Sequence, residues 1–415
     1  MLISVPVQET RSLDDYVPSA GEDAVRRLRE AAEPLRGARL VHISSTAFGG
    51  GVAELLPTQI AIMRDLGMEV DWQLIEGSDD FFAVTKLVHN ALQGADMPWN
   101  GTMASTYLER VDANAQRWVD DADFVIVHDP QPLAIASFVE ERERKGGRWV
   151  WRCHIDLSKP MEEVWAFYSR FLGSYDASIF TLEDYVHEGA YSNAHLIPPS
   201  IDPLSPKNHD LEDEVVEEVL TSYEVDPARP IVTQVSRFDP WKDPLGVMDA
   251  FRIAREQVPG IQLVMVGSMA HDDPEGWHYL ELAEEHRDGD PDIHLLTNLQ
   301  DVGALAVNAF QRASTVVMQK SIREGFGLTC TEGMWKERAV IAGRVGGLRL
   351  QIEDGHSGFL VDTIEEAADR LIELLRDREA REGMGKAARE RVRQRFLSTR
   401  EVYDHIRLLA SLGTR

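Results

Sequence analysis

Short apolar segments alternate with longer amphipathic segments along most of the chain, and this alternation predicts an α/β protein. Runs rich in Val, Ile and Leu are typical of buried strands, and apolar residues three or four positions apart indicate the helices between them. Strands are predicted in the first half at residues 38–44, 70–75, 124–128, 149–155, 177–181 and 195–197, with a helix near 55–67. Strands are predicted in the second half at residues 231–236, 262–267, 293–296, 315–319 and 340–342, followed by a helical tail from 365 to about 412.

A break in this pattern predicts two domains. Residues 198–213 contain four prolines and several acidic residues, a composition typical of a linker. A chain of 415 residues is also too long for one ordinary core. We therefore predict two doubly wound, Rossmann-like domains that face each other across a cleft, where ligands of such sheets bind. The predicted bounds are residues 1–205 and 206–395, with a last helical segment at 396–415.

The charge balance disfavours some classes of function. Acidic residues outnumber basic ones by 70 to 43, and such a surface repels nucleic acid and anionic lipid.

The two cysteines, Cys153 and Cys330, are far apart in the sequence. This spacing suits a reducing compartment, and the two residues form neither a disulfide framework nor a zinc site. With no leader pattern and no apolar stretch near 18 residues, we expect a cytoplasmic protein without membrane or nucleic-acid partners.

A glycine-rich segment in the second half is the strongest candidate for chemistry. Glu324 and Glu332 enclose a Gly-Phe-Gly loop that follows a predicted strand and leads into a predicted helix. Glycines let the backbone approach a ligand closely, and the amides of a helix start can bind an anion. We expect Glu332 to lie in the first helical turn and to bind a vicinal diol such as a ribose, and Glu324 to face the hydroxyls of a sugar. Each carboxylate alone would more often be a helix cap.

Two cations follow the first predicted strand of the second half. Arg237 and Lys242 suit a diphosphate, which gains negative charge as it leaves. The alternative is a surface ion pair with Asp239 or Asp243.

Two further candidates lie in the first half. The loop after the first strand contains three successive glycines, including Gly50 and Gly51, and lacks the dinucleotide fingerprint, which disfavours an NAD-dependent enzyme. His154 and Asp156 end the strand predicted at 149–155, where alternation would direct both side chains to one side. A lone histidine at a strand end is more often structural. The carboxylate pair Asp121 and Asp123 precedes a strand, at the edge opposite the expected site, and we reject it as a metal site.

These motifs resemble a known family. Glu324 to Glu332 is similar to the E-x7-E signature of retaining GT-B glycosyltransferases of family 4, and Arg237 with Lys242 is similar to their basic pair. The segments HISSTAFGGGVAELL, VDWQLIEGSDDFFAVTKLVHNALQG and WRCHIDLS resemble those of trehalose glycosyltransferring synthases. The E-x7-E stretch ends here in CTEGMW, where many members carry an apolar residue and Glu-Ala, a difference that affects helix packing more than the carboxylates.

The resemblance implies a retaining glucosyltransferase that makes α,α-trehalose from a nucleotide diphosphate glucose and free glucose. It implies an acceptor-binding first domain, a nucleotide-sugar-binding second domain and a final helix, near residues 403–412, that returns to the first domain. We expect no prosthetic group and no metal held by the protein, with Mg²⁺ only as a companion of the diphosphate, and we consider a homodimer as the assembly. The implied catalytic residues are His154, Arg237, Lys242 and Glu324. The implied nucleotide-sugar contacts are these cations and Glu324 together with Gly50, Gly51, Asn298, Leu299, Gly325, Phe326, Gly327, Leu328, Thr329 and Glu332. The implied acceptor contacts are Glu76 and Asp156.

Several alternatives stay open from the sequence. The nearest is a retaining trehalose phosphorylase, which uses phosphate in place of a nucleotide, followed by a family 4 transferase with another small acceptor. A non-catalytic sugar-nucleotide sensor and a nucleotide-sugar epimerase belong to other classes. The nucleobase, the metal dependence, the direction of the reaction and the subunit number are not determined.

Overall fold

The chain folds into two compact units. The computed structural model describes residues 2–48, 50–118, 121–141, 147–187, 190, 193–269 and 274–413. The contacts divide the chain into Met1–Ser200 with Ser398–Arg415, and Ile201–Leu397. The sequence predicted these two boundaries after residue 205 and after residue 395.

The first unit is built on a mostly parallel sheet. Its strands are Ile3–Ser4 (β1), Arg39–Ser44 (β2), Glu69–Leu74 (β3), Phe124–His128 (β4), Arg148–Arg152 (β5), Ala177–Phe180 (β6) and Ala194–Leu196 (β7). Its helices before the linker are Val17–Ala20 (α1), Glu22–Ala32 (α2), Gly51–Asp65 (α3), Asp79–Leu92 (α4), Gly101–Ala115 (α5), Ile135–Glu141 (α6) and Glu162–Ser169 (α7). The sheet order is β1-β3-β2-β4-β5-β6-β7, and only the short edge strand β1 is antiparallel to its neighbour. Every residue of β4 is buried, as expected of a central parallel strand covered on both faces.

The second unit repeats this architecture. Its strands are Ile231–Val235 (β8), Gln262–Gly267 (β9), Ile293–Thr297 (β10), Val316–Gln319 (β11), Ala339–Gly343 (β12) and Phe359–Val361 (β13). Its helices are Asp213–Ser222 (α8), Pro244–Gln257 (α9), Pro274–Arg287 (α10), Ala304–Ala313 (α11), Leu328–Trp335 (α12), Leu348–Gln351 (α13), Ile364–Arg376 (α14) and Arg378–Arg395 (α15). The sheet is parallel throughout, in the order β10-β9-β8-β11-β12-β13.

The last helix, Ser398–Leu412 (α16), belongs to the first unit, where it packs on α2 and α3. Ser200 donates a 2.5 Å hydrogen bond to Glu401, and Arg400 donates to the carbonyl of Pro198 at 2.7 Å. The predicted return of the final helix to the first domain is therefore confirmed. Within the described parts of the chain, none of the helices has the length and the apolar character that a bilayer crossing requires.

The strand predictions are confirmed with one consequential error. The strands at 124–128 and 262–267 have the predicted bounds, but β5 ends at Arg152 instead of residue 155. His154 and Asp156 therefore lie beyond the strand, and the alternation argument that directed both to one side is wrong. The tail is helical as predicted and consists of three helices, with a helix cap at Asp377 between the first two.

Candidate functional site

In the second unit, the structure brings Lys242 and Glu324 together although 82 positions separate them. The ammonium of Lys242 lies 2.7 Å from Oε2 of Glu324, and Ser321 donates to the same oxygen at 3.1 Å. Asp239 caps the turn that contains Lys242, because its Oδ1 accepts the backbone N–H of Lys242 at 3.1 Å. The side chains of Lys242 and Glu324 are 15% and 10% exposed, so the pair is poorly screened by water.

Two more cations accompany this pair. Arg237 is 60% exposed and lies 3.1 Å from Oδ2 of Asp239, which is the surface ion pair considered as the alternative for this residue. Burial raises the pKa of Asp239, and the charges of Lys242 and Arg237 oppose that rise. Lys320, which the sequence analysis missed, is buried and contacts Asp243. Its position directly after β11 was the available signal, since ligands of parallel sheets bind at the carboxyl ends of strands.

The glycine loop after β11 forms a tight entry to α12. Gly327 has φ of +89°, and a Cβ atom there would lie 2.9 Å from Cδ2 of Leu348 and 3.1 Å from Cγ of Glu324, so a side chain at this position would be strained. Because α12 starts at Leu328, the amides of Leu328 and Thr329 have no acceptor within the helix and can serve an anion.

The residues before Gly327 are held by the protein itself. The ring of Phe326 is buried against Phe396, and its carbonyl accepts a 2.6 Å hydrogen bond from Gln351. Gly325 precedes Phe326 in the same loop. The carbonyl of Glu324, at the start of this loop, accepts a hydrogen bond from the backbone N–H of Gly347. Phe326 thus anchors the loop through its side chain and can offer a ligand only backbone atoms.

Glu332 is in α12, but not where the sequence predicted. It lies in the second turn rather than the first and is completely buried. Gln311 donates to its Oε2 at 3.2 Å, and Lys336 donates to Gln311 at 2.7 Å and to Asn208 at 3.0 Å. Oε1 of Glu332 has no hydrogen-bond partner among the described residues, although the ammonium of Lys207 lies 3.7 Å away. A buried carboxylate oxygen without a hydrogen bond is costly, so this atom is suited to a ligand hydroxyl.

The residues expected near the nucleobase lie at the carboxyl end of β10. The side chain of Asn298 is used within the fold, where it accepts from the backbone of Met269 at 2.6 Å and donates back at 3.1 Å. Leu299 is 52% exposed in a turn capped by Thr297 and Gln300. Asn298 therefore shapes this edge, and Leu299 offers an apolar surface and backbone groups.

In the first unit, the glycine loop leads into α3. Gly50 has φ of +83° and precedes the helix, and Gly51 is its first residue. Phe48, in the same loop, is 87% exposed. Gly49 lies outside the described residues.

His154 lies just past the end of β5 and is partly exposed. Its backbone N–H donates to Oδ1 of Asp129 at 2.9 Å, and its Nε2 lies 3.0 Å from Nδ1 of His128. Burial lowers its pKa well below the ordinary value, with the charge of Arg152 as a second cause. At neutral pH His154 is therefore an uncharged imidazole.

The two expected acceptor contacts are engaged within the first unit. Asp156 is buried, and its Oδ1 accepts the backbone N–H of Ser158 at 2.8 Å. Glu76 follows β3 and pairs with Arg117. Its backbone exchanges two 2.8 Å hydrogen bonds with the side chain of Asn114.

Both halves of the chain match described families. Residues 42–187 match the family described as "Trehalose synthase, N-terminal domain", and residues 216–391 match "Glycosyl transferases group 1". The chain is 47% identical over 407 residues to a trehalose synthase of Pyrococcus horikoshii, with 97% of each chain covered. The chain belongs to the trehalose synthase family. It is thus a glycosyltransferase with the GT-B fold that its two parallel-sheet units display.

Two further matches are more distant. The solved structure titled "Trehalose-6-phosphate from E. coli bound with UDP-2-fluoro glucose" matches with a TM-score of 0.73 at 15% identity, over 91% of this chain and all of that chain. A trehalose phosphorylase of Grifola frondosa is 26% identical over 441 residues, which cover 92% of this chain and 58% of that protein. At such identities the structural match shows the fold alone. The roles of individual residues in this trehalose synthase family member remain predictions.

Proposed function

We propose that the protein transfers glucose from a nucleotide diphosphate glucose to free glucose and makes α,α-trehalose with retention at the anomeric carbon. The observation that carries this proposal is the pair of Lys242 and Glu324, joined at 2.7 Å beside the glycine-lined start of α12. A cation, a sugar-binding carboxylate and unpaired helix amides are the groups that a nucleotide sugar requires.

The three cations of the second unit suit a leaving diphosphate. Arg237, Lys242 and Lys320 are each paired with a carboxylate of the protein, so their side chains are already positioned before a ligand binds. As the bond to the sugar breaks, negative charge grows on the diphosphate, and positioned cations stabilise that state more than the ground state. The amides of Leu328 and Thr329 add two donors of the same kind.

The open oxygen of Glu332 suits the ribose. A ribose hydroxyl that donates to Oε1 would supply the hydrogen bond that this buried atom lacks among the described residues. It would share the carboxylate with Lys207, whose ammonium lies 3.7 Å away.

Retention follows from displacement on one face of the sugar. The C1–O bond to the diphosphate breaks and leaves its electron pair on the phosphate oxygen, while the acceptor hydroxyl forms the new C1–O bond from the same side. The acceptor proton passes to the departing phosphate oxygen. Glu324 and His154 hold hydroxyls of the donor glucose, and Glu76 and Asp156 hold the acceptor.

The test is a panel of donors. The purified chain is incubated with glucose and either ADP-glucose, UDP-glucose, GDP-glucose or glucose 1-phosphate, with and without Mg²⁺, and the product is examined by proton NMR. We expect α,α-trehalose, with a small anomeric coupling, from at least one nucleotide sugar. A β configuration at the anomeric carbon that comes from the donor would contradict retention.

The same panel separates the rival functions. Trehalose from glucose 1-phosphate alone would favour a phosphorylase, the activity for which the distant Grifola frondosa relative is named. When other small sugars replace glucose in the same incubation, a new disaccharide would identify a transferase with a different small acceptor. A nucleotide sugar that is bound but never consumed would indicate a sensor.

A further inference from the structure

Three histidines of the first unit form one hydrogen-bonded row. Nδ1 of His42 lies 2.9 Å from Nε2 of His128, and Nδ1 of His128 lies 3.0 Å from Nε2 of His154. The rings are stacked, with centroids 5.2 and 5.3 Å apart. His42 and His128 are buried, and His154 is the partly exposed end.

The strand order explains this row. His42 pairs in register with Ile126 on β4, two positions before His128, and His128 pairs with Arg152 on β5, two positions before His154. Each histidine is therefore a diagonal neighbour of the next. Residues two apart on a strand share a face, so His42 and His128 come together on one side of the sheet.

The row is uncharged at neutral pH. Burial lowers the pKa of His42 to about 3 and that of His128 well below its ordinary value. The charge of Arg152 also lowers the pKa of His128 and of His154. A neutral imidazole has one N–H and one lone pair, so the two contacts must run in the same direction along the row.

The buried end decides this direction. Nε2 of His42 is buried and has no hydrogen-bond partner among the residues that the structure describes. If His154 donated inward, the last N–H would be left on this atom, whereas donation outward leaves only a lone pair there. A buried N–H without an acceptor is the rarer and costlier outcome. Outward donation is therefore favoured.

We propose that His42 and His128 are positioning residues that hold His154 in the tautomer with its proton on Nδ1, so that His154 donates a hydrogen bond to an oxygen of the sugar substrate. The lone pair of His154, on Nε2, is then occupied by His128. His154 consequently cannot accept a proton at Nδ1 and is not the base of the reaction. This proposal rests on the proposed function, in which the departing phosphate takes the proton. Hydrogen bonds in a row polarise each other, which strengthens the terminal donor.

Nitrogen NMR of the full chain labelled with ¹⁵N-histidine tests the tautomer without any substrate. We expect a protonated Nδ1 and an unprotonated Nε2 for His154, with its signals assigned by comparison with His154→Asn. In His128→Phe, which keeps a ring of similar size but no nitrogen, we expect a mixture of tautomers at His154. A proton on Nε2 of His154 in the unmodified chain would overturn the proposal.

Kinetics separate positioning from a merely structural role. His128→Phe should lower kcat about tenfold, the effect of one hydrogen bond of about 1.4 kcal/mol, with the donor KM within about twofold. His128→Asn should recover most of this loss, because its amide can donate from near the place of Nδ1. His294→Phe, which removes a partly buried histidine of the second unit, is the matched control and should retain normal kcat.

The outcomes distinguish the two proposals. Equal losses in His128→Phe and His128→Asn, with unchanged melting temperatures, would contradict the positioning role. If the unmodified chain makes no trehalose from any donor, the proposed function fails, and the tautomer of His154 still decides whether the row is directed outward.

Discussion

Removing the ammonium of Lys242 is the most direct test of the second-unit site. In Lys242→Ala, Glu324 loses its partner at 2.7 Å and keeps the 3.1 Å hydrogen bond from Ser321. The carboxylate stays mostly buried, so a modest loss of stability is expected. The larger effect should be on turnover, because the diphosphate loses a cation that was already positioned.

The size of the expected loss of turnover in Lys242→Ala follows from the burial of Lys242 and Glu324. Two unit charges about 4 Å apart attract by about 4 kcal/mol at an effective dielectric constant of about 20, the value suited to sites near a protein surface. The loss of one positioned donor to developing charge typically costs about 3–4 kcal/mol. Because the side chain of Lys242 is only 15% exposed, we expect the loss of its ammonium to cost an amount within that range. We therefore expect turnover to fall at least about a hundredfold.

The assay is initial-rate formation of trehalose with the best donor of the panel. Lys386→Ala is the matched control, since it removes the same charge from an exposed position of α15. It should leave kcat unchanged. If Lys242→Ala turns over as fast as Lys386→Ala while both proteins melt normally, Lys242 has no part in stabilising the leaving group.

Three further predictions concern the second unit. Glu332→Gln should raise the donor KM about 10- to 100-fold, because one charge-assisted hydrogen bond contributes about 1.5–3 kcal/mol, as steady-state kinetics would show. Gly327→Ala should lower the free energy of unfolding by about 1–3 kcal/mol in chemical denaturation, because φ is +89° and the new Cβ would lie 2.9 Å from Leu348. Burial lowers the pKa of Lys336 to about 7 from its ordinary 10.5. Between pH values of about 7 and 10.5 the unfolded chain therefore binds more protons than the folded chain. The free energy of unfolding should rise with pH in this window, by up to about 1.4 kcal/mol per pH unit relative to Lys336→Met.

Each of these predictions has a control within the chain. Glu382→Gln, at an exposed position of α15, should leave the donor KM unchanged, and an equal KM in Glu332→Gln would remove Glu332 from the nucleotide site. A Cβ atom at Gly383 would have no other atom within 4 Å, so Gly383→Ala should not destabilise the protein. Equal free energies of unfolding for Gly327→Ala and Gly383→Ala would contradict the strain argument. If the free energy of unfolding changes with pH in the same way in the unmodified chain and in Lys336→Met, Lys336 keeps its ordinary pKa in the folded protein.

The fold could be predicted from local pattern because buried parallel strands are short apolar runs with recognisable ends. The strand at 124–128 was predicted to the residue because Asp129 and Pro130 terminate it. The end of β5 was missed because the apolar and β-branched residues continue past Arg152, whereas strand pairing with β6 stops there. Local composition does not report where a neighbouring strand ends.

The candidate site was predicted less completely. Glycine and carboxylate spacing indicated Glu324, Gly327 and Glu332, since these residues are close in sequence. Spacing alone could not show that Glu332 is in the second turn of α12, which depends on where the helix starts. Lys320 was missed because its position after a strand, the one signal in the sequence, is shared by many residues, and only the tertiary structure brings Asp243 beside it.

The sequence by itself determined the alternation of strands and helices, the linker between two units and the glycine turn at Gly327, because each depends on residues within one or two turns of each other. Only the tertiary structure decided which distant residues meet. It paired Lys242 with Glu324, and it aligned His42 and His128 on adjacent strands with His154, which lies just past the end of the next strand. The physical reason is that such contacts follow from the order in which strands pair, and that order is set by the packing of the whole sheet rather than by the pattern of any one segment.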